Sequence, residues 1–433
     1  MKEQKKYHPD IHLNLNVRGL EQSPTVAINE LSNKLIREGK QIFKLGLGQS
    51  PFPVPTPIVE ELQANAHQKD YLPVKGLEGL RVAVADYYRR TQDIEYSPSD
   101  IIVGPGSKEL MFILQLVYYG DLVIATPSWV SYAPQAEIIG RHIRWVPTYE
   151  QDDWKLTPEE IESLCSEDPD RPRILVINYP NNPSGMSYRV DELKAIARVA
   201  RKYRVIVLSD EIYGELNHSG QHVSIARYYP EGTIISSGLS KWCGAGGWRL
   251  GTFIFPHSLE WLLNGMAVVA SETYTSTSAP IQYAAVRAFN GGIRIEHYLF
   301  HARRILKVLG RYIADKLHDA GVRQKKPMGG FYLFPDFSPF KDRLRERGIT
   351  TSNQLCQHLL EDIGVAILPG TAFGREPEEL TARLAYVDFD GAKAMQASEQ
   401  VPPYKNIDIS FIREYCGNNI EAIERVCEWL LKK

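Results

Sequence analysis

No apolar run in this chain approaches the ~20 residues needed to cross a bilayer. The opening Met1-Lys2-Glu3-Gln4-Lys5-Lys6 leads into polar sequence, so no secretory signal is expected. Paired cysteines are also missing: Cys165, Cys243, Cys356, Cys416 and Cys427 are odd in number and form no CxxC. That spacing argues against a zinc or disulfide framework and fits reduced thiols in a cytoplasmic protein. Neither charge dominates, with 50 basic and 52 acidic residues and no basic tract beyond the first six positions. Nucleic acid and anionic membrane are therefore not expected as partners. Internal repeats are absent, which argues against a solenoid.

What is present is an ordinary globular composition, 43% hydrophobic and 24% charged over 433 residues, a length that suggests two domains. The stretch up to about Pro57 is rich in Gly and Pro and reads as irregular. Helical spacing follows over 58–66 and 77–88, the second with Leu77, Leu80, Val84 and Tyr88 on one face. A βα alternation then begins. Apolar runs at 101–103, 122–125, 174–178, 205–208 and 233–235 read as strands, the last as the end of a buried strand. Helical stripes through Leu110, Ile113, Leu114 and Val117, and through Leu193, Ile196, Ala197 and Ala200, lie between them. The expected fold class is α/β, a mostly parallel sheet with helices on both faces. A long amphipathic pattern over 295–317 leads into short strands at 330–334, 365–368 and 382–386, an α+β segment. The polar, proline-containing stretch 388–405 reads as a surface excursion.

Ligands of an open parallel sheet sit beyond the carboxyl ends of its strands. Three such ends here carry polar residues: Asn178-Tyr179-Pro180-Asn181-Asn182-Pro183-Ser184-Gly185, Asp210-Glu211-Ile212-Tyr213, and Ser240-Lys241. Asn178 and Asp210 are 32 residues apart and Asp210 and Lys241 are 31 apart, the spacing of successive βα units. A lysine at the mouth of a buried strand is poorly solvated, which favours its neutral, nucleophilic form. Arg249, eight residues on, is able to clamp a phosphate. Gly106-Ser107-Lys108 opens a helix directly after a strand, where backbone N–H groups attract an anion. Taken singly, each segment also fits a loop, a helix cap or a core position. Cys243, two residues from the lysine, reads as a small packed residue.

The motifs Asn182-Pro183-Ser184-Gly185, Asp210-Glu211-Ile212-Tyr213, Ser240-Lys241 with Gly247-Trp248-Arg249-Leu250-Gly251, and Ala382-Arg383-Leu384 occur in one order. In this the chain resembles the class I/II aminotransferases of the fold-type I pyridoxal-phosphate enzymes, from about residue 15 onward. From Gly48 through Tyr132 it is most similar to their prokaryotic-type aspartate aminotransferase branch. The resemblance implies a large coenzyme-binding domain over 59–314 and a smaller one built from 1–58 and 315–433. It implies pyridoxal 5'-phosphate as cofactor, held as an imine by Lys241, which then shuttles the proton at the substrate Cα. Asp210 would pair with the pyridine nitrogen, Tyr213 and Asn182 would bond the ring oxygen, and Trp129 would stack on the ring. Gly106, Ser107, Lys108, Ser240 and Arg249 would hold the phosphate, helped by Tyr71 of a second subunit, which implies a homodimer with shared sites. Arg383 would grip the substrate α-carboxylate beside the Gly48 backbone.

One position departs from the family pattern. Many members have serine three residues before the lysine, where this chain has Gly238. Ser237 is the nearest replacement, although on a strand it should point the other way.

Lys108 also bears on the substrate. In the aspartate branch a lysine here reaches the side-chain carboxylate, so transamination between aspartate and 2-oxoglutarate is the expected reaction. Tyr71, Trp129 and Tyr132 could instead line an apolar pocket for a broad-specificity or aromatic aminotransferase. A C–S lyase or cyclopropane-forming synthase would start from the same chemistry. A non-catalytic coenzyme-binding module would be expected to carry a DNA-binding appendage, for which the resemblance leaves no room.

Overall fold

A computed structural model describes residues 12–432. Twelve strands alternate with helices: β1 Phe43–Lys44, β2 Ile101–Gly104, β3 Asp121–Thr126, β4 Ile143–Pro147, β5 Arg173–Asn178, β6 Ile206–Asp210, β7 Thr233–Gly238, β8 Gly251–Ile254, β9 Tyr332–Leu333, β10 Val365–Ala366, β11 Leu368–Pro369 and β12 Ala382–Ala385. Seven of them form one sheet in the order β2-β8-β7-β6-β5-β3-β4. All pairings in it are parallel except those of β8, which runs antiparallel to both β7 and β2.

Alternation along the strands explains why both faces are covered. Ile174, Val176, Ile206, Leu208 and Ile234 join one apolar cluster with the helices Ser107–Val117 and Glu260–Glu272. Leu175, Ile177 and Val207 join another with Leu193, Ile196, Ala197 and Ala200 of the helix Val190–Lys202. This two-sided burial is the reason the strands read as continuous hydrophobic runs. Register then aligns the strand ends: Asn178 pairs with Asp210, and Asp210 with Ser236.

Beyond this sheet, β9 and β12 form a three-stranded antiparallel sheet with β11, and β1 pairs in parallel with β10. The long helix Ile293–Asp319 buries a stripe from Ile295 to Leu317. Among the described residues, no helix is long and apolar enough to cross a membrane.

Four local expectations are corrected. Thr233-Ile234-Ile235 begins β7 rather than ending it, and the strand continues, fully buried, to Gly238. Neither β4 nor β8 was expected. The N-terminal stretch is not irregular throughout: it contains the helix Pro24–Arg37, opened by a proline that suits a first helical position. The stretch 388–405 is not simply a surface excursion. It holds the helix Gly391–Glu399, whose Gly391, Ala394, Met395 and Ser398 are buried. Ser398 Oγ bonds His301 Nδ1 of the long helix at 2.8 Å, so the segment is packed down.

Candidate active site

The ends of β5, β6 and β7 open into a cavity of about 530 Å³. Its walls include Asn182, Asp210, Tyr213, Ser240 and Lys241 from the loops after those strands. Ser107 and Lys108 enter from the helix after β2, Trp129 from beyond β3, Arg249 from the loop before β8, Gly48 from the N-terminal segment and Arg383 from β12. Eleven sequence-predicted residues thus meet in one place.

Lys241 Nζ donates to the Gly48 carbonyl at 2.9 Å and lies 5.7 Å from the Tyr213 ring centre. Burial, reinforced by the Arg383 charge, pulls its ammonium down to about 8. The nearby Asp210 carboxylate opposes that shift, and Arg249 and Lys108 add to it. Asp210 is only 3% exposed. It accepts from the Tyr132 hydroxyl at 2.6 Å and more distantly from Ser236 Oγ at 3.4 Å. Burial outweighs these hydrogen bonds and raises its carboxyl to about 6.

Gly106 has φ +94°, a conformation that L side chains rarely adopt. A Cβ there would meet a guanidinium nitrogen of Arg249 at 2.2 Å, so this glycine lets the arginine lie against the start of the helix Ser107–Val117. Unpaired N–H groups at a helix start, a guanidinium and the Ser240 hydroxyl together make an anion cradle. Lys108 Nζ lies 5.2 Å from the Trp129 ring centre. Partial desolvation and the Arg249 charge both lower its pKa.

Arg383 is 1% exposed, yet no carboxylate pairs with it in the described structure. It donates to the Asn182 side chain at 3.3 Å and to the Gly46 carbonyl, and its Nε has no partner. The rings of Tyr332 and Phe373 flank it at 4.8 and 5.1 Å. A buried arginine with an orphaned donor costs several kcal/mol unless something anionic reaches it.

Residues 40–388 match the family model described as "Aminotransferase class I and II". The chain belongs to that family. It is an aminotransferase, and the family as a whole depends on pyridoxal phosphate. Among similar proteins is an aspartate aminotransferase of Bacillus subtilis, 32% identical over 86% of this chain and 93% of that protein. An aspartate/prephenate aminotransferase of Thermus thermophilus is 30% identical over 83% of this chain and 91% of its own. A solved aspartate aminotransferase of Thermus thermophilus with maleate superposes with a TM-score of 0.83 at 27% identity, covering 98% of this chain and all of that one.

Four further positions bear on the sequence reading of this aminotransferase, and of them Tyr132 stands differently from expectation. A Cβ at Gly238 would lie 2.6 Å from the Leu250 carbonyl oxygen, so the backbone here leaves no room for the serine of other members. Ser237 points away: it lines a small cavity behind the sheet with Tyr88 and Glu211. Tyr132 does not line the cavity as an apolar wall, because it is buried with its hydroxyl on Asp210. Tyr71 lies outside the cavity and is 88% exposed on the single chain.

The aminotransferase cavity also contains residues that sequence reasoning did not single out. Thr25 reaches it from the helix Pro24–Arg37, and Ile212 and Tyr332 line it from within. Ile212 sits inside the Asp-Glu-Ile-Tyr motif and was legible there. Gly330-Phe331-Tyr332-Leu333-Phe334 reads as plain strand, and nothing in it marks Tyr332.

Proposed function

We propose that this aminotransferase holds pyridoxal 5'-phosphate in the cavity. It would move the amino group of a dicarboxylic L-amino acid, aspartate favoured, to a 2-oxo acid such as 2-oxoglutarate in a ping-pong sequence. The observation that carries this reading is Arg383, a buried guanidinium with no carboxylate partner and a free Nε among the described residues, on the wall that Lys241 shares. A substrate α-carboxylate supplies the missing partner in the bidentate geometry that arginine favours. Four cations, Lys108, Lys241, Arg249 and Arg383, face a single carboxylate, Asp210, which suits a phosphate and two carboxylates together.

When bound, the coenzyme supplies an electron-accepting ring that lets an amino acid lose its Cα proton. Lys241 Nζ, with its pKa lowered to about 8, is the amine that would hold the coenzyme and would carry the proton at the substrate Cα. Asp210 would pair with the pyridine nitrogen, whose positive charge would bring its own raised pKa back down. Tyr213 and Asn182 would bond the ring oxygen and Trp129 would stack on the ring. The Gly106-Ser107 backbone, Ser240 and Arg249 hold the phosphate, with Tyr71 of a second copy in a homodimer, and Gly48 assists at the substrate carboxylate. Lys108 reaches the distal carboxylate of the substrate. In the same reading 59–314 is the coenzyme domain, and 1–58 with 315–433 is the smaller one. The seven-stranded sheet lies within the first, while β1 and β9 to β12 lie within the second.

A second reading, a broad or aromatic specificity, is favoured by the apolar faces of Ile212, Trp129 and Tyr332 in the cavity and by the aspartate/prephenate name of one relative. Single-turnover absorbance changes of the coenzyme-loaded protein with each common amino acid separate the two. Aspartate and glutamate should react fastest, and Lys108→Ala should slow them selectively. Failure of every dicarboxylic donor would remove the aspartate assignment.

A further inference from the structure

Tyr332 occupies a junction that the proposed roles leave unused. It is 1% exposed on β9, and its neighbour strand β12 carries Arg383. Its hydroxyl lies 2.9 Å from the Tyr213 hydroxyl. It lies 3.5 Å from the Gly48 carbonyl, which already accepts from Lys241 Nζ at 2.9 Å. The approach is close enough that a Cβ at Gly48 would overlap the Tyr332 hydroxyl, at 1.7 Å.

Only one of two touching hydroxyls can donate in their shared bond. If Tyr213 spends its proton on the coenzyme's ring oxygen, its bond with Tyr332 must be donated by Tyr332. The alternative acceptor for Tyr332, the Gly48 carbonyl, is beyond good O–H···O range. A phenol that accepts a hydrogen bond becomes a stronger donor through its own proton, so Tyr332 strengthens Tyr213.

We propose that Tyr332 is a positioning residue: it fixes Tyr213 as a donor toward the coenzyme's ring oxygen and so lowers the pH at which Lys241 Nζ sheds its proton in the loaded enzyme. The inference rests on the coenzyme placement proposed above. Its logic is competition. The ring oxygen helps retain the proton at Lys241 Nζ, and a strong Tyr213 donor occupies that oxygen. Other charges act on the same proton. Asp210 lies at the end of β6, Arg383 stacks on the Tyr332 ring, and Lys108 and Arg249 face across the cavity. His218 and Tyr386 both bond the Gly330 carbonyl two residues away. None of these is removed by Tyr332→Phe, which keeps the ring under Arg383.

The test is a pH titration of coenzyme absorbance in the loaded Tyr332→Phe, Tyr213→Phe and double variants. Tyr213→Phe should raise the midpoint by about 1–2 pH units and Tyr332→Phe by about 0.5–1, from the worth of a hydrogen bond to a charged acceptor. The double variant should match Tyr213→Phe, because the Tyr332 effect passes through Tyr213. A midpoint that moves with Tyr213→Phe but not with Tyr332→Phe, or shifts that add in the double variant, overturns the inference alone. A midpoint unmoved by Tyr213→Phe overturns the coenzyme placement and this inference with it.

Discussion

Asp210 and Glu211 are adjacent in sequence and almost equally buried, at 3% and 4% exposure. The regions they enter differ. Glu211 turns behind the sheet, where Ser209, Ser224 and His222 donate to its two oxygens at 2.7, 2.6 and 2.9 Å. Asp210 turns to the cavity, where it accepts a short bond from Tyr132, a long one from Ser236 and one from the Ile212 backbone, and burial still raises its carboxyl to about 6. Two buried arginines repeat the contrast. Arg375 places Nε and Nη2 on Glu379 at 2.7 and 3.0 Å and Nη1 on the Thr126 and Thr148 carbonyls. Among the described residues, Arg383 has no carboxylate partner and an orphaned Nε. Completed polar networks hold a fold together, whereas one left open toward a cavity is completed by a ligand. The same residue types therefore report stability in one region and recognition in the other.

The arginine pair offers the largest test of that contrast. Arg383→Lys should lower kcat/KM for amino acids by roughly 10²- to 10³-fold, the cost of truncating a buried charge pair, with little change in Tm. Arg375→Ala should do the reverse. It should lose about 2–4 kcal/mol of stability by stranding two carbonyls and Glu379, while the folded fraction keeps its kcat/KM. Denaturant melts read beside steady-state kinetics check both, and a matched loss in the two variants would break the comparison. The carboxylate pair gives a smaller effect. Asp210→Asn should slow turnover by about ten- to a hundredfold, through loss of the charged hydrogen bond proposed to the coenzyme nitrogen. Glu211→Gln should cost about 1–3 kcal/mol of stability and leave the rate constants of the folded enzyme in place.

The parts that sequence reasoning recovered are those where one physical demand acts alone. Strands such as β5 and β6, covered on both faces, have to be apolar throughout, and they were legible. The cavity residues on the loops after them were legible because their order and spacing repeat one βα unit at a time. β8 was hidden because it is short, Gly251-Thr252-Phe253-Ile254, and begins on the last glycine of the Gly247-to-Gly251 motif. β4 was hidden at the sheet edge, where most of Ile143-Arg144-Trp145-Val146-Pro147 is not buried. The helix Gly391–Glu399 does carry a helical stripe, at positions 391, 394, 395 and 398, but its small and polar residues conceal it. Tyr332 was invisible for another reason: its meaning lies in a hydroxyl contact 119 residues away in sequence.

The finest contrast concerns Lys241, whose pKa is set by neighbours from both the sheet ends and the C-terminal segment. Its ammonium is lowered from an ordinary 10.5 to about 8, first by burial and then by Arg383, with Asp210 pulling the other way. The charged form is therefore disfavoured in the coenzyme-free fold. That penalty is full below pH about 8 and is relieved as pH rises toward 10.5, so stability should increase across this window. In its proposed role only the neutral amine would attach the coenzyme. Its loading rate should climb about tenfold per pH unit and level off near pH 8 rather than near 10.5. Asp210→Asn removes the one charge that favours the ammonium and should move the midpoint down. Arg383→Ala removes the strongest opposing charge and should move it up. Stopped-flow absorbance across pH reads all three proteins. A wild-type midpoint near 10.5, or shifts of the same sign in the two variants, would mean that these two regions do not act on the lysine in opposition.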